Sequence, residues 1–470
     1  MDEDQRRAVD LALSGKSFFL TGAGGTGKSY TIRSIIEALN KQGKDVALTA
    51  MTGCAALLLG KGAKTLHSWA GIGLGKEDVN TILMKLRKSF KGKKGWQSSD
   101  TLIIDEVSMM QPELLDKLDL IGKAILKSDK PFGGIQLIMV GDMYQLPPVN
   151  KESQGGAFFV FESSTWKHII QDAVVLRTIH RQSDPVFLKI LDEARAGRLS
   201  QESIQILESR KTTEWKKLEI KPTLLFTKRA DVEQINNTQL QKCEGDDKVF
   251  RARTNKTQRY LLGHSVQQVT DYAIEKMDKS GAYVPELTLR VGAQVMLLTN
   301  KFMEQGLVNG SRGIVESFST GLANYPYVKF RNGETLLVDP HTWASEDVDG
   351  LERQQIPLRL AYAVTIHKAQ GATLDCALID IGKNTFEYGQ AYVALSRVKS
   401  LDCLYIWDLD PSAFMVHPKV KAFLETVYDM DSTMVPPEPI DHINLPTSSQ
   451  SILRSAPCTD DNAVTSEDPS

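Results

Sequence analysis

Short apolar runs alternate with amphipathic stretches through the first half of the chain. Lys16–Thr21 reads as a buried strand and Gly22–Gly27 as a glycine-rich turn. Lys28–Leu39 follows as a helix, with Ile32, Ile35, Ile36 and Leu39 on one side. Asp45–Ala50, Thr101–Ile104 and Ile135–Val140 are further strands bounded by turn or charged residues. Strands separated by helical stretches predict an α/β fold, a parallel sheet with helices on both faces. A second set is expected to begin near Ala173–Leu176 and to continue with Thr223–Thr227, Cys376–Ile381 and Leu404–Trp407. Between them, residues 245–355 change character. Val295–Leu298, Gly313–Val315 and Tyr327–Phe330 are β-prone, and the Asn309-Gly310 and Asn332-Gly333 dipeptides signal hairpins. This stretch reads as a β-rich insertion into the second α/β domain.

The expected organisation is therefore a first domain over 1–170, a second domain split into 171–244 and 356–431, and the insertion between. After Asp431 the last 39 residues hold six of the 18 prolines, with many Ser, Thr and Asp, so 432–470 is expected to be a disordered tail. The 470 residues suit two to four domains at about 100–200 residues each. Formal net charge is −2, so any nucleic-acid surface must be local. Lys85, Arg87, Lys88, Lys91, Lys93 and Lys94 form one such run, which alone reads as a solvated loop. Five scattered cysteines, none spaced C-x-x-C, argue against a disulfide framework or a zinc site and for a reducing, intracellular compartment. No apolar run approaches the roughly 20 residues of a membrane span. The acidic start, Met1 to Gln5, resembles neither a signal nor a transit peptide.

Gly22-Ala23-Gly24-Gly25-Thr26-Gly27-Lys28-Ser29 matches G-x-x-x-x-G-K-[ST] in full. Glycines let backbone N–H groups curl toward phosphate oxygens, and the helix that begins there adds partial positive charge. Lys28 is expected on the outer phosphates and Ser29 on Mg²⁺. Leu102-Ile103-Ile104-Asp105-Glu106 ends an apolar strand in two carboxylates. Asp105 is expected to hold Mg²⁺, and Glu106 to position and deprotonate the attacking water.

A phosphate loop alone does not separate a motor from a kinase or a switch; three further stretches do. Val140–Val149 places Gln145 just past a strand end, where its amide can meet the γ-phosphate and the attacking water. Residues Ala363–Gly371 mix a hydroxyl, an imidazole, a cation and an amide, a set suited to backbone and sugar contacts. Tyr392–Arg397 ends in an arginine placed to reach across a domain cleft, and such a finger adds about 10³–10⁵ to turnover.

Together these stretches resemble the Pif-type DNA helicases (petite integration frequency), in the RecD-like B class of helicase superfamily one. The likeness covers about residues 3–428. It runs through Gln5, the phosphate loop, T-G-C-A-A at 52–56, T-L-H-S-W-A-G at 65–71, D-E-V-S-M at 105–109, G-D-M-Y-Q-L-P-P-V at 141–149, R-Q at 181–182 and Y-V-A-L-S-R at 392–397. Asp116-Lys117-Leu118 with Lys130–Leu137 is similar to the segment that separates this family from its RecD cousins. Met143 stands where Phe is common and Ala369 where Ser is common.

The resemblance implies two RecA-like domains with ATP between them and 5′-to-3′ movement on single-stranded DNA with unwinding of duplex or forked DNA. The expected core motor is a monomer, working in DNA replication, repair, recombination or telomere maintenance in the nucleus, the cytoplasm or a viral replication compartment. It implies that Gln5 reads adenine, that Tyr30 and Gly371 border the nucleotide, and that Arg181 and Arg397 contact the γ-phosphate. Thr52, Gly53, His67, Asn309, Thr365, His367 and Lys368 would face DNA. The insertion at 245–355 would be the SH3-like domain, and the basic segment at 72–97 a small wedge. Plainer readings remain beside these. His67 and Trp69 suit core packing as well as DNA, Trp96 is open, and Tyr388 and Tyr392 read as core. An RNA-translocating relative or a nucleotide-dependent remodelling protein shares the same ATP chemistry.

Overall fold

The computed structural model describes residues 1–431, except 61, 74, 89, 149–157, 228, 257–263, 280–281, 322–323, 346–347, 349, 384 and 386. The tail expected at 432–470 lies outside the described residues.

The first-half strands are β1 (Phe18–Gly22), β2 (Val46–Ala50), β3 (Lys64–Thr65), β4 (Thr101–Asp105), β5 (Gln136–Val140) and β6 (Asp172–Leu176). They pair in parallel in the order β3-β2-β4-β5-β1-β6. Their side chains alternate between two cores, as a two-residue period requires. Phe18, Leu20, Ile103, Ile138 and Val140 face one core. It is closed by α1 (Glu3–Leu13) and α2 (Lys28–Lys41), through Ala8, Ala12, Ile32, Ile35 and Leu39. Phe19, Leu102, Ile104, Leu137 and Met139 face the other, with Trp69, Trp96, Phe132 and Trp166.

Two expectations are corrected here. The strand expected to open the second set is β6, which pairs with β1 along its full length and closes the edge of the first sheet. The first sheet thus reaches Leu176, past the boundary expected at 170. The helix Pro418–Met430, expected in the second domain, packs on the first. Its Val420, Leu424 and Val427 are buried with Trp166, and Phe423 stacks on Phe161 at 4.1 Å between ring centroids. Each such side chain contributes about 1.5–3 kcal/mol by burial. Asp431 then accepts from the Val175 N–H of β6 at 3.0 Å and pairs with Arg7 of α1.

The second parallel sheet has β7 (Thr223–Phe226) between the strands Ala363–Thr365 and Ala377–Ile381, with Leu404–Leu409 outermost. Its core holds Leu225, Ile379 and Ile406 with Phe187, Ile190 and Val393 from covering helices. The insertion is β-rich, as the Asn-Gly turns predict. Gln294–Leu297, Arg312–Phe318, Pro326–Phe330 and Thr335–Leu337 form an antiparallel sheet around Val295, Val315, Val328 and Phe330. Leu358–Leu360 completes it, five residues past the boundary expected at 355.

The 72–97 segment folds mainly as two helices, Val79–Lys88 and Phe90–Ser98. Trp96, left open by the sequence, is buried in the first core; its Nε1 donates to the Ala70 carbonyl at 3.1 Å and its ring lies 4.6 Å from Trp69. Trp69 is likewise a core residue. No described helix is long and apolar enough to cross a membrane.

Candidate active site

The phosphate loop joins β1 to α2. Gly27 takes φ +84°, and a Cβ there would stand 2.9 Å from the Gln5 side-chain nitrogen. Only glycine meets both conditions at the helix start. Gln5 is buried, and its Oε1 accepts from the Asp2 N–H at 3.1 Å in the capping box of α1. Helix capping thus aims the Gln5 amide at the loop. Tyr30 and Ser29 are exposed on the first turn of α2.

Lys28 Nζ donates to the carbonyls of Gly22 at 2.7 Å and Ala23 at 3.0 Å. Burial pushes its ammonium down, and Asp142, Glu106 and Asp105 pull it back up. Asp105, at the buried end of β4, is raised to about 7, by burial first and then by Glu106. Burial and the Glu106 carboxylate make an ionised Asp105 costly, and a divalent cation would offset that cost. Glu106 adopts φ +57°, uncommon for a non-glycine residue. Its Oε2 accepts from Gln370 Nε2 at 3.0 Å, and its Oε1 is 3.5 Å from where a Cβ on Gly371 would stand.

That glutamate contact is one of several joining the two sheets. The Gly24 N–H donates to Tyr392 Oη at 2.8 Å, and Tyr392 donates on to Asp142 at 3.3 Å. Arg195 pairs with Asp142 at 3.1 Å, and Gln145 Nε2 donates to the same carboxylate at 3.4 Å. Burial alone would raise the Asp142 carboxyl; Arg195 and Lys28 outweigh it and hold it below the usual range. Arg181 Nη1 donates to the Ser396 carbonyl at 2.9 Å, with its Cβ packed against Gly25.

Arg397 is fully buried. Its guanidinium donates to the carbonyls of Val393, Ala369 and Ala372 and to Ser396 Oγ, all within the second sheet's layer. Burial, then the Arg181 cation, lower it to about 9, which leaves it charged at neutral pH. In this structure the arginine expected as a finger is bonded within its own layer, with Arg181, Glu106 and Asp142 near enough to act on its charge.

The residues expected to face DNA divide. Asn309 and Lys368 line one cleft with Cys54, Leu58, Arg359 and Gln370. Gly310 packs this turn against the second sheet, since a Cβ there would meet the Thr373 carbonyl at 2.7 Å. Thr52 caps the helix Gly53–Leu59 by accepting from the Ala55 N–H at 3.1 Å. Thr365 caps its own short helix, accepting from the Lys368 N–H at 3.3 Å. His367 pairs with Glu387 at 3.0 Å, away from the set lining the cleft. His67 lies beside Gly75, its pKa lowered by burial and then by Lys276 of the insertion.

Sequence reasoning missed Asp142, Arg195 and the Tyr392 hydroxyl, and read the Gln370 amide as a nucleic-acid contact where it bonds Glu106. Asp142, Gln370 and Tyr392 sit inside motifs already singled out, and their polar atoms were the available signal. Arg195 carries none, because it ends an ordinary amphipathic helix, Pro185–Arg195.

Comparison with known proteins matches residues 1–205 to PIF1-like helicase and residues 275–318 to the DNA helicase Pif1 2B domain. The chain is 37% identical over 430 residues to the human ATP-dependent DNA helicase PIF1, covering 91% of this chain and 64% of that protein's length. It is similar to the Pif1 helicase crystal structure from Candida albicans, with a TM-score of 0.73 and 36% identity, covering 91% of this chain and 99% of that one. It is also similar to the Bacteroides Pif1 structure in complex with ADP-AlF3 and ssDNA, with a TM-score of 0.64 and 28% identity, covering 91% and 97%.

Proposed function

Because the chain belongs to the Pif1 helicase family, with its tandem RecA-like sheets, we propose that it is an ATP-driven motor that moves 5′-to-3′ on single-stranded DNA and unwinds duplex. The reading rests on one observation above all. Both sheets contribute to a single polar seam around Lys28, through Gln370 on Glu106 and Tyr392 on Gly24. A nucleotide in that seam touches both sheets, so its presence or hydrolysis favours different separations of them.

In this reading Lys28 exchanges the Gly22 and Ala23 carbonyls for phosphate oxygens. Glu106, released from Gln370, accepts the proton of the attacking water, and Gln145 orients that water. Arg181, with Arg397 near it, neutralises charge developing on the outer phosphate. Asp105 and Ser29 would hold Mg²⁺, which supplies further neutralisation of the phosphates. The cleft of Asn309 and Lys368 grips the strand through its backbone, so binding is salt-sensitive and weakly sequence-dependent. The Bacteroides relative's complex with ADP-AlF3 and ssDNA supports the pairing of the two ligand classes. The workplace is a reducing compartment that holds DNA.

The test is ATP-dependent strand separation on two matched duplexes, one with a 5′ and one with a 3′ single-stranded tail, with Lys28→Ala alongside. Unwinding only from the 5′ tail, lost in the variant, is the expected result. Unwinding from the 3′ tail overturns the polarity, and hydrolysis without unwinding overturns the motor.

A further inference from the structure

Two thiols stand together, neither of them among the residues that line the Asn309–Lys368 cleft. The strands Ala377–Ile381 and Leu404–Leu409 run parallel, with Ala377 opposite Leu404. Cys376 and Cys403 each come one residue before that pair, so the same register sets them side by side. Neighbouring strands stand about 4.8 Å apart, within the roughly 4.4–6.8 Å between Cα atoms that a disulfide spans. Both thiols are free. Cys376 is buried and Cys403 half-buried.

Two arginines of the β insertion face the pair. Arg331 Nη2 donates to Cys403 Sγ at 3.8 Å, while its Nη1 donates to the Asp375 carbonyl at 3.1 Å. Arg312 is fully buried, and its backbone N–H donates at 3.5 Å to the carboxylate of Asp375, the residue before Cys376. Arg312 donates from Nη1 to the Lys221 carbonyl, and its Nε and Nη2 have no hydrogen-bond partner among the described residues. An electropositive, partly exposed thiol beside a second thiol is the arrangement of a reactive cysteine with its resolving partner. The protonation pattern agrees. The neighbouring Cys376 thiol lowers Cys403 to about 5, and Cys403 in turn raises Cys376.

We infer that Cys376 and Cys403 form a redox-active pair that a hydroperoxide converts reversibly to an intramolecular disulfide. The Cys403 thiolate attacks one peroxide oxygen and the O–O bond breaks. Cys403 becomes a sulfenic acid, and the departing hydroxide or alkoxide takes up a proton. Cys376 then attacks the Cys403 sulfur, the S–O bond breaks, and water leaves with the Cys376 proton. Each sulfur loses one electron and the peroxide gains two. Arg331 loses its thiolate partner, so the change is felt where the insertion meets the second parallel sheet.

The test uses the full-length reduced chain, exposed to hydrogen peroxide, alkylated and mapped by non-reducing peptide mass spectrometry. The expected product is one linkage, Cys376 to Cys403, with two of the five thiols lost and both recovered by dithiothreitol. In Cys376→Ser, Cys403 stops at the sulfenic acid and is trapped by dimedone. Full alkylation of all five thiols after peroxide overturns the inference. So does linkage of Cys403 to another cysteine or to a second copy of the chain, or direct passage of Cys403 to sulfinic acid in the unmodified chain. The unmodified chain is measured first, so a variant that fails to fold leaves the test decisive.

Discussion

The polar seam around Lys28 and the Asn309–Lys368 cleft meet at Gln370, but they are built differently. The seam is dense with buried polar groups bonded across it: Gly24 to Tyr392, Glu106 to Gln370, Asp142 to Arg195. The cleft is lined largely by apolar side chains, Leu58, Met296, Leu298, Val364 and Leu374, with Asn309, Arg359 and Lys368 among them. Charge developing on a phosphate in flight must meet donors already in place, because reorganising them would add to the barrier. In the proposed reading, Arg359 and Lys368 are the cations of the cleft that a DNA backbone would meet, and such contacts are individually weak and electrostatic. Losing one group should therefore be severe in the seam and mild in the cleft.

That contrast can be broken at four points. Lys28→Ala should reduce ATP hydrolysis below detection; turnover near the unmodified rate would remove the loop from the chemistry. Glu106→Gln should retain nucleotide binding while hydrolysis falls by about 10²–10⁴, the range for a lost general base. Nucleotide affinity and turnover measured on the same variant separate this from a structural role. Tyr392→Phe keeps the ring but leaves the Gly24 N–H without its acceptor, at about 1–3 kcal/mol. A roughly tenfold or larger fall in turnover is expected, with circular dichroism showing the fold retained. Lys368→Ala should have the smallest effect. DNA affinity should fall severalfold and the salt slope by about one, while hydrolysis without DNA stays as it was. A cleft variant that damages basal hydrolysis as much as Tyr392→Phe would erase the distinction.

The Arg397 result sharpens the same comparison. Sequence placed it as a finger across the cleft, but its guanidinium has four acceptors in its own layer. Replacement by alanine would remove a buried charge, while the Val393 and Ala369 carbonyls keep their bonds from Ser396 Oγ and the Ala372 N–H. Arg181 bonds the Ser396 carbonyl, and its Cβ lies against Gly25 of the loop.

Much of this was legible along the chain because the signals are local. The phosphate loop, the strand that ends in Asp105-Glu106, and the two Asn-Gly turns each depend on a few consecutive residues whose backbone preferences coincide. Strand edges and domain borders were not local in this sense. Whether β6 belongs to the first or second sheet depends on which edge lies open to Asp172–Leu176, and it is β1. The helix Pro418–Met430 shows an ordinary amphipathic pattern that names no partner. Its partner, a surface containing Phe161 and Trp166, lies more than 240 residues away in sequence.

The sequence by itself determined the α/β class, the phosphate loop with its carboxylate pair, the β-rich insertion and the family likeness, since each is written in contiguous residues. Tertiary structure alone decided that Tyr392 serves Gly24, that Arg195 holds Asp142, that the last described helix completes the first domain, and that Cys376 stands beside Cys403. Those pairings join residues far apart in the chain. Their energies come from burial and from hydrogen bonds that exist only once two sheets are formed and facing.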